Sequence, residues 1–247
     1  MNPQDPPTSN LKHIGIIMDG NRRYGKTTYG PAGYLRGHFD GGKKLEEAIG
    51  WCCDLRASTS PLLTELTVYA FSSENFSRPQ TELDGLWTIF ISQSPTLSKQ
   101  CRDLNVRARI LNTCGFARFP PNVVKALKSI ESETASCTGL NVNVCVGYSG
   151  SEDVCRAAES LSQTANGGGG LKSHSLTPEC ILPHLQIKSQ IDLLIRTSGE
   201  ARLSNFALFN LAYAELLFFE KAWPEVTKED FVQATDSFEN RDRRYGK

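Results

Sequence analysis

The sequence predicts a single α/β domain whose central sheet is six-stranded and mostly parallel, with helices on both faces. Three observations carry that expectation. Short runs rich in β-branched residues recur along the chain, apolar enough to be buried on both sides as strands of a parallel sheet must be. Segments with apolar residues at helical spacing alternate with them, the pattern of strands joined by helical crossovers. At 247 residues the chain is long enough for one large domain, which would bury about 70–75% of its unfolded surface.

The first strand is Ile14, Ile16, Ile17 and Met18, closed by Asp19 and a Gly-Asn-Arg-Arg turn. A loop leads to a helix over Gly41–Leu55, where Leu45, Ala48, Ile49, Cys52 and Leu55 repeat at helical spacing. Leu66–Phe71 is the second strand and runs into SSENFSRP, which is polar and turn-forming. The next helix spans about Glu82–Arg102, and Pro95 is expected to kink or break it. Val106–Leu111 alternates apolar and charged residues, as a half-exposed edge strand does, and Asn122–Glu133 reads as a helix.

Leu140–Val146 is a strand and Glu152–Gln163 a helix, followed by the Gly-rich loop TANGGGGLKSH. Thr177-Pro178 supplies an N-cap and first-turn proline for a short helix, and Ile191–Ile195 is another buried strand. Phe206–Phe219 is apolar on nearly every face of a helix, which predicts burial all round, in a dimer interface or a deep core. The last helix, Thr227 to about Glu239, opens on a Thr227-x-x-Asp230 capping box and precedes the basic tail RDRRYGK. Residues 1–12 are polar and Pro-rich and read as a flexible N-terminal segment, with the domain over 13–247.

Lys and Arg balance Asp and Glu at 27 each, so no global field draws the chain to nucleic acid. The eight cysteines contain no C-x-x-C and the four histidines no zinc spacing; they read as core residues and free thiols of a reducing compartment. No apolar run of 18 residues occurs, so the expectation is a soluble protein or one peripheral to a membrane.

Three polar clusters follow strands: DGNRR after the first, SSENFSR after the second, and Arg196–Phe206 (RTSGEARLSNF) after Ile191–Ile195. The carboxyl ends of parallel strands share one sheet edge, so these clusters are expected to converge. They would set Arg23, Arg78, Arg196 and Arg202 around Asp19, with Lys26 nearby, an arrangement suited to phosphate oxygens and a divalent cation. Gly20–Thr27 also satisfies the P-loop pattern G-x-x-x-x-G-K-[ST], which on its own suggests a nucleotide hydrolase. No apolar run ends in a Walker-B-type Asp: in IDLLIRT, Asp192 precedes the run. His38 reads either as a core histidine or as a phosphate donor, and Glu74 and Glu82 either as helix caps or as site residues. Phe71, Phe76, Trp87 and Phe90 suit a plain core as well as the wall of a lipid tunnel.

These clusters, in this order, resemble the cis-prenyltransferase family, the undecaprenyl and dehydrodolichyl diphosphate synthases. HIGIIMDGNRRYGK, YAFSSENFSRP, RTSGEARLSNF and AYAELLFFEKAWPE are similar to the family's signatures, and the likeness runs from about His13 to Lys247. It implies a catalytic domain with a hydrophobic product tunnel that condenses isopentenyl diphosphate repeatedly onto an allylic diphosphate, farnesyl diphosphate in most members. The product implied is a long Z-polyprenyl diphosphate for dolichol- or undecaprenol-type carrier lipids.

By motif position the resemblance implies Asp19 and Glu215 as Mg2+ ligands, with Asp19, Ser72 and Asn75 as catalytic residues. It implies Gly20, Asn21, Arg22, Arg23, His38, Phe76 and Arg78 for the allylic diphosphate. Arg196, Arg202 and Ser204 would bind isopentenyl diphosphate, together with Arg244 and Gly246 of an RxG tail that reaches a partner subunit. The assembly implied is a homodimer in the cytoplasm, peripheral on the endoplasmic reticulum or plasma membrane where product leaves. A non-catalytic partner subunit of a heteromeric enzyme shares the fold and tail, but such subunits lose the diphosphate-binding signature that this chain keeps.

The chain departs from the family pattern at several positions. Arg22 and Tyr24 stand where bacterial relatives usually have Gly and Trp, and Tyr34 stands where an Arg is usual, with Arg36 close enough in sequence to compensate. Gly147-Tyr148-Ser149-Gly150 replaces Asn-Tyr-Gly-Gly, and Ala201 stands where His or Gln is common. Ser58–Leu62 reads as extra loop length, and Ser92, Gln93 and Ser94 bring polarity to the helix that lines the tunnel.

Overall fold

The computed structural model describes residues 9–166 and 177–241. Six strands, β1 (His13–Ile17), β2 (Glu65–Ser72), β3 (Arg107–Leu111), β4 (Asn141–Tyr148), β5 (Leu193–Arg196) and β6 (Glu215–Phe218), form one sheet in the order β3-β4-β2-β1-β5-β6. Every neighbouring pair is parallel. β1 and β5 are buried at every residue, as their apolar runs require. β3 lies at the sheet edge, where its alternation placed it.

The helices are α1 (Asn21–Tyr29), α2 (Tyr34–Ala57), α3 (Gln80–Asp103), α4 (Pro121–Glu133), α5 (Gly150–Asn166), α6 (Pro178–Ile181) and α7 (Lys228–Glu239). Alternation along the strands divides the core in two. Ile14, Ile16, Leu66 and Val68 join the larger cluster with Leu45, Trp87, Leu127 and Phe231 from α2, α3, α4 and α7. Ile17, Tyr69 and Leu194 point the other way and pack with Ile187, Ile191 and Phe206.

The turn expected after Asp19 is instead the start of α1, and α2 begins seven residues before the expected helix. α1 carries charge and glycine where an amphipathic helix carries leucine, so periodicity gave no sign of it. Its glycines permit close contact with α2: a Cβ on Gly37 would lie 2.0 Å from the Asn21 carbonyl oxygen, and one on Gly25 would lie 2.3 Å from that of Gly33. α3 runs through Pro95 without a break.

Phe206–Phe219 is not a helix. Ser204, Asn205 and Ala207 have φ of 49°, 62° and 43°, a left-handed backbone that helices exclude. Asn210 Nδ2 donates to the carbonyls of Ile187 and Ser189, and the chain then extends as β6 beside β5. Phe206 and Leu211 are buried, whereas Leu208, Leu216 and Phe218 are exposed, so burial is one-sided. Residues 9–12 also differ from the flexible segment expected. Leu11 is fully buried, and the backbone N–H of Lys12 donates to Asp192 at 2.8 Å.

Candidate active site

β1 leads through α1 and α2 to β2 on one side, while β5 leads to β6 on the other, so the strand order reverses between β1 and β5. Open α/β sheets bind ligands at the carboxyl ends of strands beside such a reversal. A cavity of about 640 Å³ opens there, and Asp19, Arg23, Lys26, His38, Arg78 and Arg196 are among its lining residues. The expected convergence of three strand-end clusters is what the structure shows.

Asp19 is fixed through its backbone. Its N–H donates to Thr197 Oγ1 at 3.0 Å, and its carbonyl accepts from that hydroxyl at 2.7 Å and from the N–H of Trp223 at 2.9 Å. Its carboxylate accepts from the N–H of Gly20 at 2.7 Å and from Arg196 Nη2 at 2.8 Å, yet remains one-third exposed to the cavity. Gly20 has φ of 94°, and a Cβ there would meet Ser198 and Ala222 at 2.8 Å. Only glycine lets the chain leave β1 this tightly.

Arg196 is 3% exposed, and its Nη1 donates to Ser204 Oγ at 2.8 Å and to the carbonyl of Arg202. Its buried Nε has no partner, so this guanidinium keeps a donor in reserve. Arg23 is more exposed and reaches the carbonyl of Ser198 and the carboxylate of Glu200. Arg22 and Arg78 converge on the buried Glu82 at 3.6 and 3.2 Å. Burial lowers the Arg78 pKa, with Glu82 opposing that shift and Arg22 adding to it. His38 Nε2 is buried without a partner, and burial followed by the charges of Arg78 and Arg22 brings its pKa down to about 4. The ring is therefore neutral near pH 7 and can donate one hydrogen bond.

Gly20, Asn21, Arg22, Ser72, Asn75 and Ser204 also line the cavity. Asn75 Oδ1 accepts from the N–H of Ser72, which shapes the short 3-10 turn Ser73–Ser77. Several expected members lie elsewhere. Phe76 packs on Phe71 and Phe119 at 5.0 and 4.9 Å, with Arg118 over its ring, and does not line the cavity. The Arg202 guanidinium engages Glu200, so only its carbonyl meets Arg196.

Glu215 opens β6 in register with Leu193, which is itself in register with Ile14, at the amino end of the sheet. Asp19 lies five residues beyond Ile14, about 16 Å at strand rise, so one ion cannot bridge Asp19 and Glu215 of one chain. Glu215 instead pairs with Arg241. Arg36 does not replace the Arg expected at 34, since it stacks on Tyr29 and Phe39 and pairs with Asp40. Arg244 and Gly246 fall outside the described residues.

Sequence reasoning missed Thr197, which locks the Asp19 backbone, and the role of Glu82 as the anion between two cavity arginines. The second had a legible signal, because Arg78 and Glu82 stand four residues apart at a helix start. The P-loop reading fails on geometry. Gly25, Lys26 and Thr27 lie inside α1, whereas a P-loop places them at the helix entrance.

Among the described residues, no group of three or more His, Cys, Asp or Glu side chains stands together. Asp19 is nonetheless a fitting holder for Mg2+, which takes one or two carboxylates, keeps several waters and fills its shell with substrate phosphate oxygens. Each Asp19 oxygen accepts one hydrogen bond, leaving lone pairs toward the cavity. A second cavity of about 100 Å³ shares Met18, Asn21, His38, Ala70 and Leu86 with the first and runs apolar between α2, α3, α4 and the sheet.

A family model described as "Putative undecaprenyl diphosphate synthase" matches residues 17–246. An isoprenyl transferase of Thermus thermophilus is 35% identical over 241 residues, covering 96% of this chain and 89% of the relative. A ditrans,polycis-undecaprenyl-diphosphate synthase of Shewanella oneidensis, described as specific for (2E,6E)-farnesyl diphosphate, is 36% identical over 95% of this chain and 82% of its own. The crystal structure of lavandulyl diphosphate synthase from Lavandula x intermedia with dimethylallyl diphosphate superposes with a TM-score of 0.86 at 26% identity, over 96% of this chain and 98% of that one.

Proposed function

This chain belongs to the undecaprenyl diphosphate synthase family of prenyl transferases, and we propose that it condenses isopentenyl diphosphate onto an allylic primer, farnesyl diphosphate, at the Asp19 cavity. One observation carries this reading: the cationic cavity around Asp19 continues directly into an apolar one. Such a pair of compartments suits an ionic head joined to a hydrocarbon tail.

In this reading Gly20, Asn21, Arg22, Arg23, His38 and Arg78 hold the allylic diphosphate, while Arg196 and Ser204 hold isopentenyl diphosphate. The allylic C–O bond breaks, and its electron pair leaves with diphosphate. The terminal alkene carbon of isopentenyl diphosphate bonds to the allylic carbon, and loss of a neighbouring proton forms the new double bond. Charge grows on the departing diphosphate, so guanidinium groups fixed in advance stabilise the transition state more than the ground state. Ser72 and Asn75 line the same cavity and on this reading would bound the space between the two heads. Mg2+ held by Asp19 would supply further neutralisation of the leaving group.

Repetition of this step gives a long Z-polyprenyl diphosphate of the kind that serves glycosyl-carrier lipids. The exposed apolar side chains of the β6 edge, Leu216 and Phe218, suit burial against a second copy, making the enzyme a homodimer. No helix among the described residues is long and apolar enough to cross a membrane. Purified protein incubated alone with farnesyl diphosphate, labelled isopentenyl diphosphate and Mg2+ should yield labelled, butanol-extractable prenyl diphosphates. Absence of product would instead support the partner-subunit reading.

A further inference from the structure

The apolar cavity is walled on one side by the seam between α2 and α3, and Gln93 of α3 interrupts its apolar lining there. Gln93 Nε2 donates to the Phe39 carbonyl of α2 at 2.7 Å, making a crossbar between the helices. α2 is shaped to receive it: a Cβ on Gly42 would lie 1.9 Å from Gln93 Oε1, so any residue larger than glycine would push the carboxamide away.

Seven residues further along each helix the contact repeats, with Gln100 Nε2 donating to the Glu46 carbonyl at 2.7 Å. The two crossbars lie about 10 Å apart along α2. Their carboxamides differ in placement, because the side chain that ties the first crossbar, Gln93, lines the cavity, whereas of the second crossbar only the acceptor residue Glu46 does.

A tail growing from the Asp19 cavity enters between α2 and α3 and has the sheet below it and α4 beside it. Once it fills this small space, further growth needs a way out, and the seam is closed by a polar group bonded to backbone. On the prenyl-transfer reading above, we propose that the Gln93–Phe39 crossbar determines product length by closing the seam through which a longer tail has to pass. Parting it forfeits a part-buried hydrogen bond and turns the carboxamide toward hydrocarbon, which opposes each added unit.

The test is the product distribution of the full-length protein, resolved by mass spectrometry with farnesyl and isopentenyl diphosphates. Gln93→Ala should shift the distribution to longer products by at least one isoprene unit, and Gln93→Ser should shift it the same way should the alanine variant fold poorly. Gln100→Ala removes a tie of equal length whose carboxamide does not line the cavity, so it should lower thermal stability comparably and leave product length unchanged. Equal distributions for wild type and both Gln93 variants would overturn the inference, as would equal lengthening in Gln100→Ala, which would reduce Gln93 to a helix tie. A wild-type protein that forms no prenyl product would instead overturn the functional reading beneath it.

Discussion

Arg196 Nη2 lies 2.8 Å from Asp19 Oδ2, a contact that joins the ends of two adjacent strands whose residues are 177 positions apart in the chain. The arginine is almost wholly buried and the carboxylate is open to the cavity, so the pair sets a fixed cation beside an accessible anion at the cavity wall. Removing Asp19 costs more than the pair contributes, because the Arg196 charge then stays buried without its carboxylate.

Arg196→Lys tests this geometry. A lysine keeps the charge but cannot reach Asp19 and Ser204 together from a planar fork. The expected outcome is a fall in kcat/KM for isopentenyl diphosphate of about a hundredfold, roughly 3 kcal/mol, read in steady-state assays. A change below about threefold would separate Arg196 from substrate.

His38 makes stability depend on pH. Its pKa falls from 6.5 to about 4 in the folded protein, so between these values the unfolded chain binds the proton more readily. The stability is therefore complete above about pH 6.5 and is lost as pH drops toward 4, by about 3 kcal/mol if the full shift applies. His13, also lowered by burial, acts in the same direction, so the comparison must be with His38→Asn. Urea melts across this range should show a shallower pH dependence for the variant, and parallel curves would refute the assignment.

Ser198 has φ of 78°, a left-handed backbone in which its Cβ is strained, and its N–H and carbonyl, not its side chain, hold Lys221 and Arg23. Ser198→Gly should stabilise the protein by about 0.5–1 kcal/mol. For a chain of this size that is a rise in Tm of about 1–4 °C by calorimetry. A lower Tm would show that the serine fills its site better than it strains it.

Exposed Leu216 and Phe218 on the β6 edge predict that Leu216→Lys with Phe218→Lys converts a dimer to a monomer in sedimentation velocity. A wild-type monomer would remove the basis for a homodimer.

Strands buried on both faces were legible because their middles are mainly Ile and Leu, as β1 and β5 show, with the buried polar residues His13 and Arg196 at the strand ends. The polar ends of β1, β2 and β5 were legible for a related reason, since charge directly after a buried run has to lie at the sheet's rim. α1 was hidden because glycine contacts with α2, not an apolar stripe, secure it. β6 was hidden because LFNLAYAELLFF is apolar at either period, and the left-handed residues that break the helix, Ser204, Asn205 and Ala207, carry no glycine signature. Glu215 looked like a ligand by motif alone, and only strand register shows it at the far end of the sheet.

On the proposed function, Asp19 organises diphosphate chemistry in this cavity. The most direct measurement is the single-turnover rate of isopentenyl transfer to farnesyl diphosphate by wild type, Asp19→Ala and Asp19→Asn, with folding verified by thermal melts. Wild type should be active, and the alanine variant should lose about a thousandfold, some 4 kcal/mol. A comparable loss is expected in the asparagine variant, which keeps one acceptor oxygen where Gly20 and Arg196 together use two, and which lacks the charge. Folded variants that transfer at rates within about threefold of wild type would contradict this role of Asp19.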